Sequence, residues 1–99
     1  MPRTNNRLTV IGPKAQLQRF HRSAWAKSLG ARFCETLENA PERFACQFET
    51  EDAPLGPLRR LSRRFPGLTL LLDYENESIR TKGLAKAAAG KLEHCQLNY

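Results

Sequence analysis

The side chains of this 99-residue chain that could act as nucleophiles, acids, bases or metal ligands are few and scattered. The two histidines, His21 and His94, lack a partner at zinc-ligand spacing. Cys46 could in principle act as a nucleophile beside a histidine, but it falls on the apolar face of an expected strand, where burial disfavours the thiolate. The sequence therefore predicts no catalytic residue, no metal site and no cofactor, and hence a protein that is not an enzyme.

Carboxylates are more numerous, and six of them gather in two groups. One group flanks a turn and the other alternates along a strand end: Glu49, Glu51 and Asp52, and Asp73, Glu75 and Glu77. The strands that carry them need not be neighbours in the expected topology, so no acid–base pair is predicted. Both groups fit a solvated rim, and this rim could also receive a basic partner through Glu49, Glu51, Asp73 and Glu75.

Arginine has the most regular spacing of any charged residue. Leu58, Leu61 and Phe65 recur at the intervals of an apolar helical stripe. The opposite arc of that helix consists of arginines: Arg59, Arg60, Arg63 and Arg64. The planar fork of arginine binds phosphate or carboxylate bidentately, whereas a face that needed only solubility would usually mix in lysine and glutamate. We expect an anion-binding surface here; the alternative is a solvated helix back.

An earlier expected helix adds cations to the same surface, namely Arg19, Arg22 and Lys27. Trp25 lies at the edge of that helix's apolar stripe, where it either packs on the core or contacts a partner.

The overall charge agrees with an anionic partner. Sixteen Lys and Arg against ten Asp and Glu give a formal charge of +6, which favours nucleic acid, a nucleoprotein complex or an acidic protein surface. Excess charge that only keeps a small domain soluble is the alternative. No apolar run approaches the roughly 20 residues of a membrane helix, and residues 1–6 lack the apolar core of a signal peptide. We therefore expect a cytoplasmic protein with no membrane partner.

The elements that position these residues follow from periodicity and turn signals. The expected strands span residues 7–11, 31–38, 44–50 and 68–74, the expected helices span 13–29 and 57–65, and a C-terminal hairpin joins strands at 79–89 and 91–99. The order predicts a single α+β domain over residues 1–99, with the ferredoxin-like split βαβ plan: an antiparallel sheet, two helices on one face and the added C-terminal β-hairpin. By propensity alone, the alanine-rich stretch at 84–89 favours a helix instead; the hairpin is predicted from Gly83 and Gly90 and from a family resemblance, not from propensity.

The same periodicity predicts which side chains form the core. We expect these to be mostly buried: Leu8, Val10, Leu17, Phe20, Phe48, Leu58, Leu61, Phe65, Leu70 and Leu72. Because Leu71 is also apolar, we expect its strand to be nearly buried on both faces. Three cysteines without a C-x-x-C motif are expected to be small core residues: Cys34, Cys46 and Cys95. We expect residues 1–5 to be frayed.

The run FETEDAPLGPLRRLSRRFPGLTLLLDYENE, from Phe48 to Glu77, resembles the ferredoxin-like domain of the YubB-type proteins of conjugative plasmids and phages. In that family a Pro-containing turn, a helix ending in Leu-Ser-x-x-Phe-Pro and a strand ending in an acidic-aromatic-acidic cluster follow in this order. The turn departs from the family's frequent Trp-Ser-Pro-Pro, since this chain has Glu51, Asp52, Ala53 and Pro54. The resemblance implies the fold and a mobile-element setting, and transfers no catalytic residue.

Two functions remain open from the sequence. The first is a non-enzymatic module that binds nucleic acid or a nucleoprotein complex through the basic helical face. RNA readout by the exposed sheet face is disfavoured, because the outward residues Ala45, Gln47 and Glu49 neither stack on bases nor attract phosphate. The second is a protein inhibitor or adaptor of a host complex, such as an anti-CRISPR or other anti-defence protein.

Overall fold

The computed structural model describes residues 3–99 as a six-stranded antiparallel sheet with three helices. In chain order the elements are β1 (Thr4–Ile11), α1 (Lys14–Arg22), α2 (Trp25–Leu29), β2 (Arg32–Ala40), β3 (Arg43–Thr50), α3 (Leu55–Arg64), β4 (Thr69–Asn76), β5 (Thr81–Ala88) and β6 (Lys91–Asn98). The strands lie in the order β2-β3-β1-β4-β5-β6. The α+β class, the antiparallel sheet and the C-terminal hairpin are thus as predicted, and the hairpin extends the sheet rather than standing apart.

The helices cover one face of the sheet, and the hydrophobic core lies between the two layers. All ten side chains predicted to be mostly buried are buried, with Leu8, Phe20 and Leu58 fully so. Within residues 3–99 no helix lies on the opposite face of the sheet, the open face. It consists of the residues that alternate with the core positions, such as Arg7 on β1 and Asp73 on β4.

β1 begins earlier than predicted, because polar residues tie its start into the sheet. Thr4 is buried and donates to the Glu51 carbonyl at 3.1 Å. Asn6 Nδ2 donates to Thr50 Oγ1 at 2.9 Å, and Asn76 Nδ2 donates to Thr4 Oγ1 at 3.3 Å. Fraying was therefore the wrong prediction for residues 4 and 5, since these buried hydrogen bonds fix the backbone there. Met1 and Pro2, also expected to be frayed, lie outside the described residues.

The single helix predicted over residues 13–29 is broken into α1 and α2. The break lies at Ser23, whose backbone N–H and hydroxyl both donate to the Phe20 carbonyl, at 3.0 and 2.6 Å. Ala24 then leaves the helical region of backbone space. The bend brings the Trp25 ring into stacking contact with Phe20, with ring centroids 5.4 Å apart. α2 ends at Leu29 and is capped by Gly30, whose φ of 69° lies in the left-handed region that favours glycine.

α3 starts two residues before the predicted position, and β2 departs from the predicted alternation. Pro57 lies in the first turn of α3, where a missing N–H costs nothing. In β2 the register shifts between Arg32 and Glu35, and Phe33 adopts a φ of 57° with its side chain 74% exposed. No helix covers this edge strand, so its side chains are exposed on both faces. A period-two pattern could not reveal this bulge.

The hairpin β5–β6 forms in place of the helix that alanine content favours. Ala85 and Ala87 are buried on the helix-covered face, where α3 leaves room only for small side chains. Gly83 allows the Tyr74 ring to cross β5, because a Cβ at position 83 would collide with that ring. The Tyr74 hydroxyl then reaches His94 Nε2 on β6 at 2.5 Å. Tertiary packing thus overrides the helix propensity of the stretch.

Two predictions of burial are wrong, because no helix within residues 3–99 covers the side chains concerned. Leu71 is 37% exposed, because its side chain points away from the helices. Cys95 is exposed on the open face of β6, Cys34 is exposed on the edge strand β2, and Cys46 alone of the three is a core residue. Among residues 3–99, no helix is long and apolar enough to cross a membrane.

Candidate functional site

The predicted cations all lie on the outer surface of α1, α2 and α3, which together are called the helix layer. Arg19 and Arg22 lie on α1 and Lys27 on α2, and all three are exposed. The four arginines of α3 are exposed as well: Arg59, Arg60, Arg63 and Arg64. The structure therefore brings the two sequence-distant groups onto one side of the molecule, with α2 packed against α3.

The helix layer contains no carboxylate. Neither residues 12–34 nor residues 53–72 include an aspartate or glutamate, whereas Lys14 adds to the predicted cations. The two salt bridges between described residues, Arg3–Glu49 and Arg43–Glu38, both lie on the sheet. The helix-layer cations are thus without a carboxylate partner within residues 3–99. Their number exceeds the formal charge of +6, so the basic excess of the chain lies on this layer.

Several arginines of α3 are held by the protein itself. Arg59 Nε donates to the Gly90 carbonyl at 2.9 Å, and the Arg63 side chain lies over the same glycine. The Arg64 guanidinium lies 5.6 Å from the centroid of the Phe65 ring. These contacts leave other guanidinium N–H groups free to bind an anion while restricting the side chain, which lowers the entropy lost on binding.

Ser62 is the residue that makes this arrangement possible, and sequence reasoning missed it. It is fully buried in the middle of α3, where its hydroxyl donates to the Arg59 carbonyl at 2.7 Å and accepts the Gly90 N–H at 3.0 Å. The β5–β6 turn is thereby fastened beneath the arginines. The sequence did contain a signal for the burial of Ser62, because this small polar residue follows Leu61 of the apolar stripe and precedes two arginines.

A shallow groove of about 190 Å³ separates α2 from α3. Its walls combine apolar and basic side chains: Ser28, Pro57, Arg60, Leu61 and Arg64. A groove of this size accommodates one side chain or one phosphate rather than a small-molecule substrate. Two arginines and a hydroxyl at its rim match an anionic group.

Trp25 supports the core-packing interpretation, although it is only half-buried. Its ring stacks on Phe20 and meets Phe44 edge-on at a centroid distance of 5.7 Å. His21 likewise packs edge-on against Phe44 at 4.6 Å. These aromatics hold α1 and α2 on the sheet and so position Arg22 and Lys27.

The acidic residues lie on the other side of the molecule. Glu49, Asp73 and Glu75 line a depression of about 520 Å³ on the open face, together with Glu35 and the exposed Phe33. β1 separates the strands that carry Glu49 and Glu75, with Asn5 directly between them. No neighbouring acid–base pair arises from these two. Glu51, the remaining member of the predicted rim, follows β3 and does not line the depression.

The geometry of the described residues gives little support to a nucleophilic side chain or a metal site. Burial raises the pKa of the Cys46 thiol to about 12, which keeps it protonated and unreactive near neutral pH. Burial also raises the pKa of Tyr74, whose hydroxyl donates to Gln96 Oε1 at 3.2 Å. Within residues 3–99, no three His, Cys, Asp or Glu side chains gather closely enough to hold a metal ion.

No protein-family model, curated protein or solved structure matches this chain. The resemblance to the YubB-type domain therefore remains a prediction made from the sequence, and the function must be argued from the surface itself.

Proposed function

We propose that this protein is a non-enzymatic binding module that engages nucleic acid or a nucleoprotein complex through the helix layer. The observation that carries the proposal is the segregation of charge: exposed arginines and lysines without one carboxylate on the helices, and all the acids elsewhere. Such a surface attracts a phosphate backbone from a distance and binds it by release of counterions. It needs no cofactor.

The fold and the setting belong to the same proposal. A ferredoxin-like split βαβ plan with two added strands is supported by the strand order β2-β3-β1-β4, with α1 and α2 after β1 and α3 after β3. Together with the Leu-Ser-x-x-Phe-Pro run at Leu61–Pro66, this supports a plasmid- or phage-encoded protein that acts in the cytoplasm.

A second candidate function is an inhibitor or adaptor that docks on an acidic protein surface of a host complex, as anti-CRISPR proteins do. The groove between α2 and α3 favours it, because the half-buried Pro57 offers apolar contact beside Arg60 and Arg64. A carboxylate side chain of a protein would fit there as well as a phosphate. The two candidates share one surface and differ in the partner.

The test is an affinity pull-down from host lysate with and without nuclease, followed by binding assays with the captured partner. The variant with Arg59, Arg60, Arg63 and Arg64 all replaced by glutamate lowers the formal charge from +6 by eight units to −2. We expect it to lose partner binding at least about 100-fold, because attraction becomes repulsion over the whole of α3.

The matched control changes the same amount of charge on the sheet. It replaces Arg32, Arg43, Lys82 and Lys86, which are exposed and lie outside the helix layer, by glutamate. We expect this variant to retain binding within about threefold, because these side chains lie on the sheet face opposite the helix layer, where salt screens their effect on the bound partner. Equal losses in the two folded variants would refute a surface confined to the helices.

A further inference from the structure

Most of the exposed apolar side chains of the open face lie on the half formed by β4, β5 and β6, with Phe33 of β2 at the opposite edge. Leu84 on β5 is 62% exposed and Leu97 on β6 is 58% exposed, with Leu71 of β4 beside them. They line two adjoining depressions of about 520 and 310 Å³, in which Cys95 also takes part. Apolar side chains grouped in this way on a small protein mark a surface that other molecules cover.

The charges of the open face differ in kind from those of the helix layer. Among the residues of the six strands that point to this face, carboxylates and cations are equal in number, so these strands contribute no net charge although the chain is strongly basic. The carboxylates are Glu35, Glu38, Glu49, Asp73, Glu75 and Glu93. The cations are Arg7, Arg32, Arg43, Lys82, Lys86 and Lys91. A neutral face does not favour nucleic acid, whose phosphates would meet as much repulsion as attraction.

The charges on the open face are arranged so that this face is complementary to the same face of a second copy. Following the paired residues from β2 to β6, one row of side chains reads Arg32, Glu49, Asn5, Glu75, Lys82 and Leu97. The next row contains Arg7 beside Asp73, with Leu84 further on. A two-fold axis between β1 and β4, parallel to the strands, places Glu49 of one copy over Lys82 of the other. The same axis places Arg7 of each copy over Asp73 of its partner.

We propose that the open face is the interface of a symmetric homodimer, in which two sheets stack face to face about this axis. Stacked sheets lie about 10 Å apart with strands within about 30° of each other, which the two-fold axis permits. The one like-charge crossing, Glu38 over Glu93, falls on the outer strands, and Glu38 already pairs with Arg43 at 2.7 Å. The apolar half of each copy covers the β3 side of its partner, where Ala45 and Gln47 lie.

The area of the face is sufficient for such a dimer. Six strands of at least eight residues, spaced about 4.8 Å apart with about 3.3 Å per residue, give about 760 Å² on each copy. Two copies would bury about 1,500 Å², which is within the range of stable protein interfaces. This proposal goes beyond the binding function of the helix layer and does not depend on it, since the helices stay on the outside of the dimer.

The test is the molar mass of the purified chain in solution from about 1 to 100 μM, where an interface of micromolar affinity becomes populated. We expect a shift from monomer to dimer across this range. Leu84→Arg changes an exposed side chain and should leave the fold intact, which circular dichroism checks. It should weaken the dimer at least about tenfold. A folded wild-type chain that stays monomeric at 100 μM overturns the proposal.

The axis itself is tested by exchanging charges. Glu49→Lys and Lys82→Glu should each weaken the dimer about tenfold, and the double variant should recover to within about threefold of wild type, because each opposed pair is restored. These residues lie on strands separated by β1 and β4, so they do not pair within one copy. A dimer that ignores Leu84→Arg and the charge exchange uses another surface, such as the β6 edge, and overturns the proposal as well.

Discussion

At the residue scale, Cys46 is the side chain whose chemical reactivity is most clearly set by its environment. It lies on β3 beneath the helix layer and is 1% exposed, and burial raises the pKa of its thiol to about 12. Cys34 and Cys95 are exposed. We expect iodoacetamide at pH 8 to alkylate Cys95 and Cys34 in the native protein, with Cys46 labelled only after unfolding. Mass spectrometry of peptides counts the labels, and modification of Cys46 at the native rate of Cys95 would contradict the burial.

The same thiol makes the free energy of unfolding decrease as the pH becomes alkaline. Because the folded pKa is raised above the ordinary value of 9.0, its contribution to stability is fully present below pH 9. It is lost as pH rises from 9 toward 12, where the unfolded state releases a proton that the folded state keeps. Chemical denaturation at pH 8 and 10 should show this loss in wild type and less of it in Cys46→Ala.

Residue spacing predicted the core well and the open face poorly. Leu8, Leu58 and Leu72 were identified because a helical or strand period directly reports which side faces the core. Leu71 and Cys95 were placed inside because an apolar residue type does not reveal whether a second layer covers its face. The exposure of Phe33 could not be predicted at all, since it follows from a bulge that a period-two pattern does not reveal.

At the scale of elements, α3 joins the proposed function to the stability of the fold. Its inner side is Leu58, Leu61 and Ser62, and its outer side is arginine. Sequence predicted this two-sidedness and the surface it creates. The attachment of the β5–β6 turn through Ser62 and Arg59 could not be predicted from the sequence, because residues 59 and 90 meet only after the chain folds.

We expect truncation of a side chain to destabilise the fold on the inner side of α3 but not on its outer side. Leu61→Ala removes a side chain that is 1% exposed between helix and sheet, and should lower the free energy of unfolding by about 2 to 5 kcal/mol. Arg60→Ala changes an exposed side chain and should stay within about 0.5 kcal/mol of wild type. Urea denaturation followed by circular dichroism measures both values, and similar losses would show that the helix faces had been assigned wrongly.

At the scale of the whole molecule, the salt dependence of binding to the helix layer distinguishes the two proposed functions. If the helix layer binds a phosphate backbone, the logarithm of the affinity falls linearly with the logarithm of salt concentration, by about 0.9 for each phosphate neutralised on duplex DNA. We expect Arg60→Ala and Arg64→Ala each to reduce this slope by about 0.9, and Arg43→Ala on the sheet to leave it unchanged. Fluorescence anisotropy with a labelled random-sequence duplex measures the slopes.

The single tryptophan of the chain provides an intrinsic optical probe of the proposed binding surface. Trp25 is half-buried at the start of α2, where its indole stacks on Phe20 beneath the side of the helix layer that carries Arg22 and Lys27. A ligand that settles there changes the polarity around an indole that is already partly in water. Its emission should therefore shift on binding without any label, whereas association through the open face should leave the emission spectrum unchanged.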